Sequence, residues 1–141
     1  MPVPFRYPVR VRYVECDMQG HVFNGHYLTW FDMAHTALLP EAIGHSYLHL
    51  VESGVDIVVA EAGVRYLLPA HFDDELEIAI TLDPPTASSL TSRFGIERDG
   101  EPLTAGFLRH VCVDPATMRK QPWPDRLRSA FAPYVLEHLT H

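Results

Sequence analysis

The residues best equipped for chemistry in this sequence fall close together: Asp17, His21, Asn24 and Gly25, with Gly20 and His26 among them. They occupy a polar turn that leads into a strongly apolar segment. That segment reads as a helix starting near Asn24, and the first N–H groups of a helix have no partner inside it. Such an end binds anions and stabilises developing negative charge. A carboxylate placed just before it, Asp17, points to the turn as an active site. Two plainer readings stay open at this level. Asp17 can cap the helix or form an Asx-turn, and His21 can fix the turn's conformation. No rival nucleophile stands out elsewhere. A Gly-x-Ser-x-Gly elbow is lacking, and Cys16 and Cys112 read as a small strand-end residue and a core residue. Neither CxxC nor HExxH spacing occurs, and the histidines are scattered.

The elements that must hold this turn follow from periodicity. Residues 1–8 hold three prolines and read as an extended lead-in. Val9–Glu15 alternates, with Val9, Val11 and Tyr13 on one face, and predicts a half-buried strand. From Asn24, a plausible N-cap, to Ile43, the residues Tyr27, Trp30, Phe31, Ala34 and Leu38 recur at helical spacing. The apolar surface is wide enough to predict burial over most of the circumference. Pro40 falls near the end and Gly44 reads as the stop. Residues 45–53 read as a short helical or irregular connection, with Leu48, Leu50 and Val51 inward.

Strands are predicted at Val55–Leu68, Glu75–Leu82, Ser89–Arg98 and Leu103–Val113, separated by Pro- or Gly-containing turns. Gly63 suggests a bulge or a close backbone approach. Asp99-Gly100 is a tight-hairpin signal. Asp125–Leu139 reads as a surface helix interrupted by Pro133. One long apolar helix covered by a mainly antiparallel sheet is an α+β architecture, expected as one domain over residues 1–141.

A length of 141 residues with 47% hydrophobic content provides one substantial core. A formal net charge of −7 argues against nucleic acid or an anionic membrane as partner. No run reaches the length of a membrane span, no secretion signal is apparent, and two cysteines make no disulfide framework. A reduced cytoplasmic protein is expected. A small anionic ligand is compatible, since it needs only a few well-placed basic residues.

The segment Tyr13-x-Glu15-x-Asp17-x-x-Gly20-His21-Val22-x-Asn24-x-x-Tyr27-Leu28, followed by an apolar helix, resembles the hotdog-fold acyl-CoA thioesterases, in the 4-hydroxybenzoyl-CoA thioesterase-like branch. Tyr66-x-x-Pro69-Ala70-x-Phe72-x-Asp74-Glu75-Leu76 resembles that branch's second signature. The resemblance implies a long central helix wrapped by a five-stranded antiparallel sheet of order 1-3-4-5-2. It also implies a homodimer or dimer-of-dimers tetramer, an acyl-CoA substrate and no cofactor or metal. Asp17 matches the position of the family's catalytic carboxylate. It would attack the thioester carbonyl or act as general base on water, with the oxyanion held by a backbone N–H near Asn24 or Gly25. Gly25 and His26 replace residues more usual in the family, so a side-chain role at 26 is not carried over.

His21 could bond to Asp17 or to the leaving thiol. Tyr27, with Trp30, Phe31, Val58, Val59 and Phe107, would border the acyl group. Arg65 and Arg93 are candidates for the coenzyme A phosphates, alongside Arg98, Arg119 and Lys120. Asp32 and His35 could form an i, i+3 pair or meet a partner subunit. Two further readings keep the same fold: a non-catalytic acyl-CoA-binding protein, disfavoured by an anion beside an anionic ligand, and a hydratase, for which no matching His/Asp arrangement is found.

Overall fold

The computed structural model describes residues 5–136. Its elements run β1 (Phe5–Arg10), α1 (Gly25–Ile43), α2 (Tyr47–Glu52), β2 (Asp56–Tyr66), β3 (Glu75–Leu82), β4 (Ser89–Arg98), β5 (Glu101–Val113) and α3 (Asp125–Phe131). The five strands form one antiparallel sheet of order β1-β3-β4-β5-β2. The long helix α1 packs on one face of it. This is the hotdog arrangement that the sequence resemblance implied.

Strand parity sets the core. Leu76, Ile78, Ile80 and Leu82 of β3 and Leu90, Phe94 and Ile96 of β4 are buried towards α1. From the helix, Tyr27, Trp30, Phe31, Ala34, Leu38 and Leu39 meet them. Phe31 stacks on Phe94 with ring centroids 4.5 Å apart, directly over Gly106. A Cβ at Gly106 would lie 2.5 Å from both the Phe31 ring and the Gly63 carbonyl, so glycine there sets how closely helix and sheet approach. Trp123, Leu127 and Phe131 add a buried flank from the α3 side.

Several local expectations change. The first strand is Phe5–Arg10 rather than Val9–Glu15, and Pro8 sits within it opposite Glu77. A proline is tolerated there because β1 is a sheet edge. Tyr13–Glu15 instead form a 3-10 turn, which throws Tyr13 out to 81% exposure. The helix is buried on one side only, leaving Leu28 and Met33 partly exposed. Leu48 points outward while Leu50 is buried. The bulge in β2 falls between Val59 and Glu61, and Gly63 makes room for a side chain, the Phe107 ring, in place of the expected bulge or close backbone.

The tight turn at Asp99-Gly100 has both residues at positive φ, 51° and 82°. Gly44 ends α1 in the left-handed region, its N–H donating to the Pro40 carbonyl. Pro40 lies inside the last turns of the helix. The last helix is shorter than predicted, ending at Phe131 before a 3-10 turn at Ala132–Tyr134; the remainder of its predicted span, from residue 137, lies outside the described residues.

Candidate active site

The turn between β1 and α1 is pinned from both sides. Asp17 N–H donates to the His21 carbonyl at 2.7 Å, Val22 N–H to Ala70 at 2.9 Å and Phe23 N–H to Glu15 at 2.9 Å. The main anchor is Glu15, an almost fully buried carboxylate. It accepts from the Arg12 N–H at 2.7 Å and from Trp30 Nε1–H at 3.0 Å, so it ties the turn to the buried face of α1. Burial works to raise its pKa, but the bonds from Arg12 and Trp30 outweigh this and hold it below the usual glutamate value. The sequence pattern offered Glu15 only as a strand residue; its place as an anchor depends on Trp30, fifteen positions away.

Asp17 is exposed, and its two oxygens differ. Oδ1 accepts from the N–H of Gln19 at 2.8 Å and of His21 at 3.2 Å, which is the Asx-turn reading in physical form. Oδ2 accepts no hydrogen bond among the described residues. His21 meets Asp17 through its backbone, while its ring lies edge-on to His71 at 5.1 Å. His71 belongs to a turn held by Asp74, which takes the His71 N–H at 2.8 Å and Arg98 at 2.7 Å.

Asn24 departs from the N-cap expectation. Its backbone is already helical (φ −52°, ψ −38°) and its side chain makes no cap bond. Its carbonyl accepts from Tyr27 N–H at 3.4 Å and from the Tyr66 hydroxyl at 2.9 Å. Gly25, the first residue of α1, carries one of the N–H groups that a helix leaves unpaired. Asp17, His21, Asn24, Tyr27 and Tyr66 border one hollow of about 410 Å³. Tyr27 is itself buried; its hydroxyl accepts the Ala70 N–H at 3.2 Å, and burial pushes its pKa up.

Residues 11–131 match the model of the thioesterase-like superfamily. The chain belongs to that superfamily. It is 32% identical over 129 residues to the acyl-CoA thioester hydrolase YbgC of Escherichia coli O6:H1, covering 90% of this chain and 95% of that one. Its structure is similar to that of the hypothetical protein TT1821 from Thermus thermophilus, with TM-score 0.82 and 28% identity over 92% of this chain and 98% of that one. It also shares its fold with Slr0204, a 1,4-dihydroxy-2-naphthoyl-CoA thioesterase from Synechocystis, with TM-score 0.82 and 20% identity over 92% and 96% of the two chains.

In this thioesterase-like chain the remaining candidates lie apart from the Asp17 hollow. Arg65 and Arg93 line a separate hollow of about 470 Å³ on the outer face of the sheet. Arg93 is held there by Asp83, at 2.9 Å, and stands 5.6 Å over the Phe107 ring. Phe107 faces this outer side, so it does not border the helix as expected. Arg98 is taken up by Asp74 and Glu101. Asp32 and His35 make no bond to each other. His35 reaches Ser92 Oγ through Nδ1 at 3.2 Å and stacks on His110 at 4.0 Å. Ser92 and His110 are polar residues at inward strand positions, and that break in the apolar alternation is their only signal in the sequence. Cys16 and Cys112 are both free thiols, and among the described residues no helix is long and apolar enough to cross a membrane.

Proposed function

We propose that the protein hydrolyses acyl-CoA thioesters with Asp17 as the reacting carboxylate. The observation that supports this most is the asymmetry of that carboxylate. Two backbone N–H groups fix Oδ1, Oδ2 has no partner among the described residues, and Asp17 borders the same hollow as the start of α1. A fixed carboxylate with one free oxygen is oriented in advance, which lowers the entropic part of the barrier. Oδ2 either attacks the thioester carbon, giving a mixed anhydride that water then cleaves, or removes a proton from the attacking water. In both routes negative charge moves to the carbonyl oxygen. The N–H groups at Asn24 and Gly25, backed by the helix dipole, receive it. The carbon–sulfur bond then breaks and the thiolate of coenzyme A leaves, taking up a proton from solvent.

The relative YbgC is named an acyl-CoA thioester hydrolase, which fits this reading. Arg65 follows from strand parity: Tyr66 lines the Asp17 hollow, and its neighbour along β2 points to the opposite face. The pantetheine arm would pass round the Tyr66 end of β2 and bring its phosphates to Arg65, which has no carboxylate partner among the described residues. Arg93, bridged by Asp83, would be a weaker contact.

The free edge of β2 favours a homodimer. Two of its residues on the helix side are exposed, Val59 at 50% and Tyr66 at 47%. The opposite edge, β1, is guarded by ion pairs of Arg6 with Glu77 and of Arg10 with Glu75. Among the described residues β2 carries one such pair, Glu61 with Arg109, so it is the less charged of the two edges and the one that pairs more readily. Two copies joined through β2 would extend the sheet and roof the groove beside α1. Sedimentation should then give a dimer or a dimer of dimers; a monomer at micromolar concentration would remove this part of the reading.

The decisive experiment is thiol release from a panel of aliphatic and aromatic acyl-CoAs by wild type and Asp17→Asn. The isosteric swap retains an acceptor for the turn but removes the charge, and kcat should fall by roughly a hundredfold or more. Tight acyl-CoA binding in calorimetry without turnover would instead favour the non-catalytic binding protein. Label found in Asp17 after a single turnover in ¹⁸O-water would establish the anhydride route, with water cleaving the anhydride at the aspartyl carbon.

A further inference from the structure

Asp17 borders two hollows. One has Asn24, Tyr27 and Tyr66 on its walls. The other, of about 480 Å³, is lined by Tyr13, Cys16, Met18, Gly20 and Phe72. Among the described residues Asp17 alone lines both.

The second hollow is built from large apolar side chains that stand in solvent. Tyr13 is 81% exposed, Phe72 is 55% exposed and Met18 is fully exposed. The Tyr13 and Phe72 rings meet edge to face with centroids 5.9 Å apart. The backbone beneath all three is tied. The turn at Tyr13 is closed by the Cys16 N–H donating to the Tyr13 carbonyl at 3.1 Å. The turn that carries Met18 is closed by the Gly20 N–H donating to the Asp17 carbonyl at 3.0 Å. Phe72 is followed by Asp73, whose N–H donates to the Val11 carbonyl at 3.0 Å. Two aromatic rings and a thioether are thus held out to water, beside a carboxylate, by fixed backbone. Apolar surface gathered in this way marks a binding site, and methionine adapts its shape to what it touches.

The interior offers no rival beside Asp17. Trp30 and Phe31, expected to border the acyl group, are packed into the core, and Phe107 lines the outer face of the sheet. A thioester carries two arms on its reacting carbon. In the route above, the coenzyme A arm leaves through the hollow of Tyr66, on the side of the Asn24 and Gly25 N–H groups. The acyl arm then needs apolar surface that also reaches Asp17, and the walls of the second hollow supply it.

We propose that Tyr13, Met18 and Phe72 form the acyl subsite and that its occupant is the apolar acyl group of the thioester. This rests on the thioesterase reading and names the residues that set its preference for apolar acyl groups. Each methylene laid on this surface leaves water, so kcat/KM should rise with chain length by roughly two- to fourfold per methylene until the hollow is covered.

The test compares kcat/KM for acetyl-, butyryl-, hexanoyl- and octanoyl-CoA in wild type, Met18→Ser and the double variant Tyr13→Ser/Phe72→Ser. Wild type should favour octanoyl over acetyl, and that ratio should fall by at least about fivefold in the double variant and by a smaller factor in Met18→Ser. Met18 is fully exposed, so its variant keeps the test open if the double variant fails to fold. A flat wild-type series, or an unchanged ratio in a variant of normal melting temperature, overturns the proposal. A smaller assembly in sedimentation of the double variant, with its chain-length series unchanged, would assign the patch to a second copy of the chain and overturn it too. Calorimetry with the non-hydrolysable thioether S-octyl-CoA reads the same walls without turnover. Absence of all hydrolysis counts against the thioesterase reading, while equal thioether binding by wild type and the double variant counts against the subsite.

Discussion

Substituting Glu15→Gln should loosen the turn that carries Asp17, by an amount the geometry sets. The carboxylate is only 4% exposed, so water cannot replace what it loses. It accepts from two well-placed donors, the Arg12 N–H at 2.7 Å and Trp30 Nε1–H at 3.0 Å. Glutamine keeps one acceptor oxygen and turns its amide donors towards the other N–H. One buried donor is orphaned and one charge-assisted bond becomes neutral. Together these cost about 2–3 kcal/mol. The Arg12 guanidinium, at 3.4 Å and mostly in solvent, contributes little.

The pH dependence gives a second handle. The folded-state pKa of Glu15 is held below its ordinary value of 4.5. Its contribution is therefore complete above about pH 4.5 and is lost as pH falls through the folded value, where the protonated acid resembles glutamine. Urea unfolding of wild type, Glu15→Gln, Trp30→Phe and the double variant, from pH 7 downwards, measures both effects. The wild-type advantage over Glu15→Gln should close on acidification, and the double-variant cycle should return a coupling of about 1 kcal/mol. A difference under about 0.5 kcal/mol at pH 7, the scatter of ordinary surface changes, would refute the anchor, as would a gap that ignores pH.

Other perturbations probe separate parts of the molecule. Gly106→Ala pushes a methyl group against Phe31 and the Gly63 carbonyl and should destabilise by about 2–3 kcal/mol in thermal or urea unfolding; a neutral result would mean that helix and sheet can separate freely. Tyr27→Phe orphans the Ala70 N–H and should cost about 1–3 kcal/mol, with the Pro69 turn exchanging amide hydrogens faster. His110→Phe should flatten the acid side of the stability profile. His110 sits at about 4 in the folded chain against an ordinary 6.5, so its contribution is present above 6.5 and lost on the way down to about 4. Equal slopes for variant and wild type over that window would contradict the neutral, buried assignment.

Elements whose reasons are local can be read from the chain alone. The alternation of β3 and β4, the Asp99-Gly100 hairpin and the Gly44 stop each depend on neighbours within a few residues, and their observed bounds follow the pattern. The order of elements, read with the family resemblance, also pointed to the sheet that is observed. Tertiary structure decided what distant contacts decide. Val9–Glu15 alternates well enough for a strand, but Glu15 is drawn into the core by Trp30 and the chain coils to deliver it. Asn24 has a capping side chain, yet its helical backbone and the Tyr66 hydroxyl on its carbonyl leave it another place. Phe107 was apolar either way, and only pairing with Gly63 sets its face. His35, Ser92 and His110 come from three elements, and nothing in their spacing brings them together. Hydrophobic period and turn chemistry act over a few residues and can be read from the chain. Which buried polar atoms meet depends on how helix and sheet are seated, and that is a property of the packed molecule.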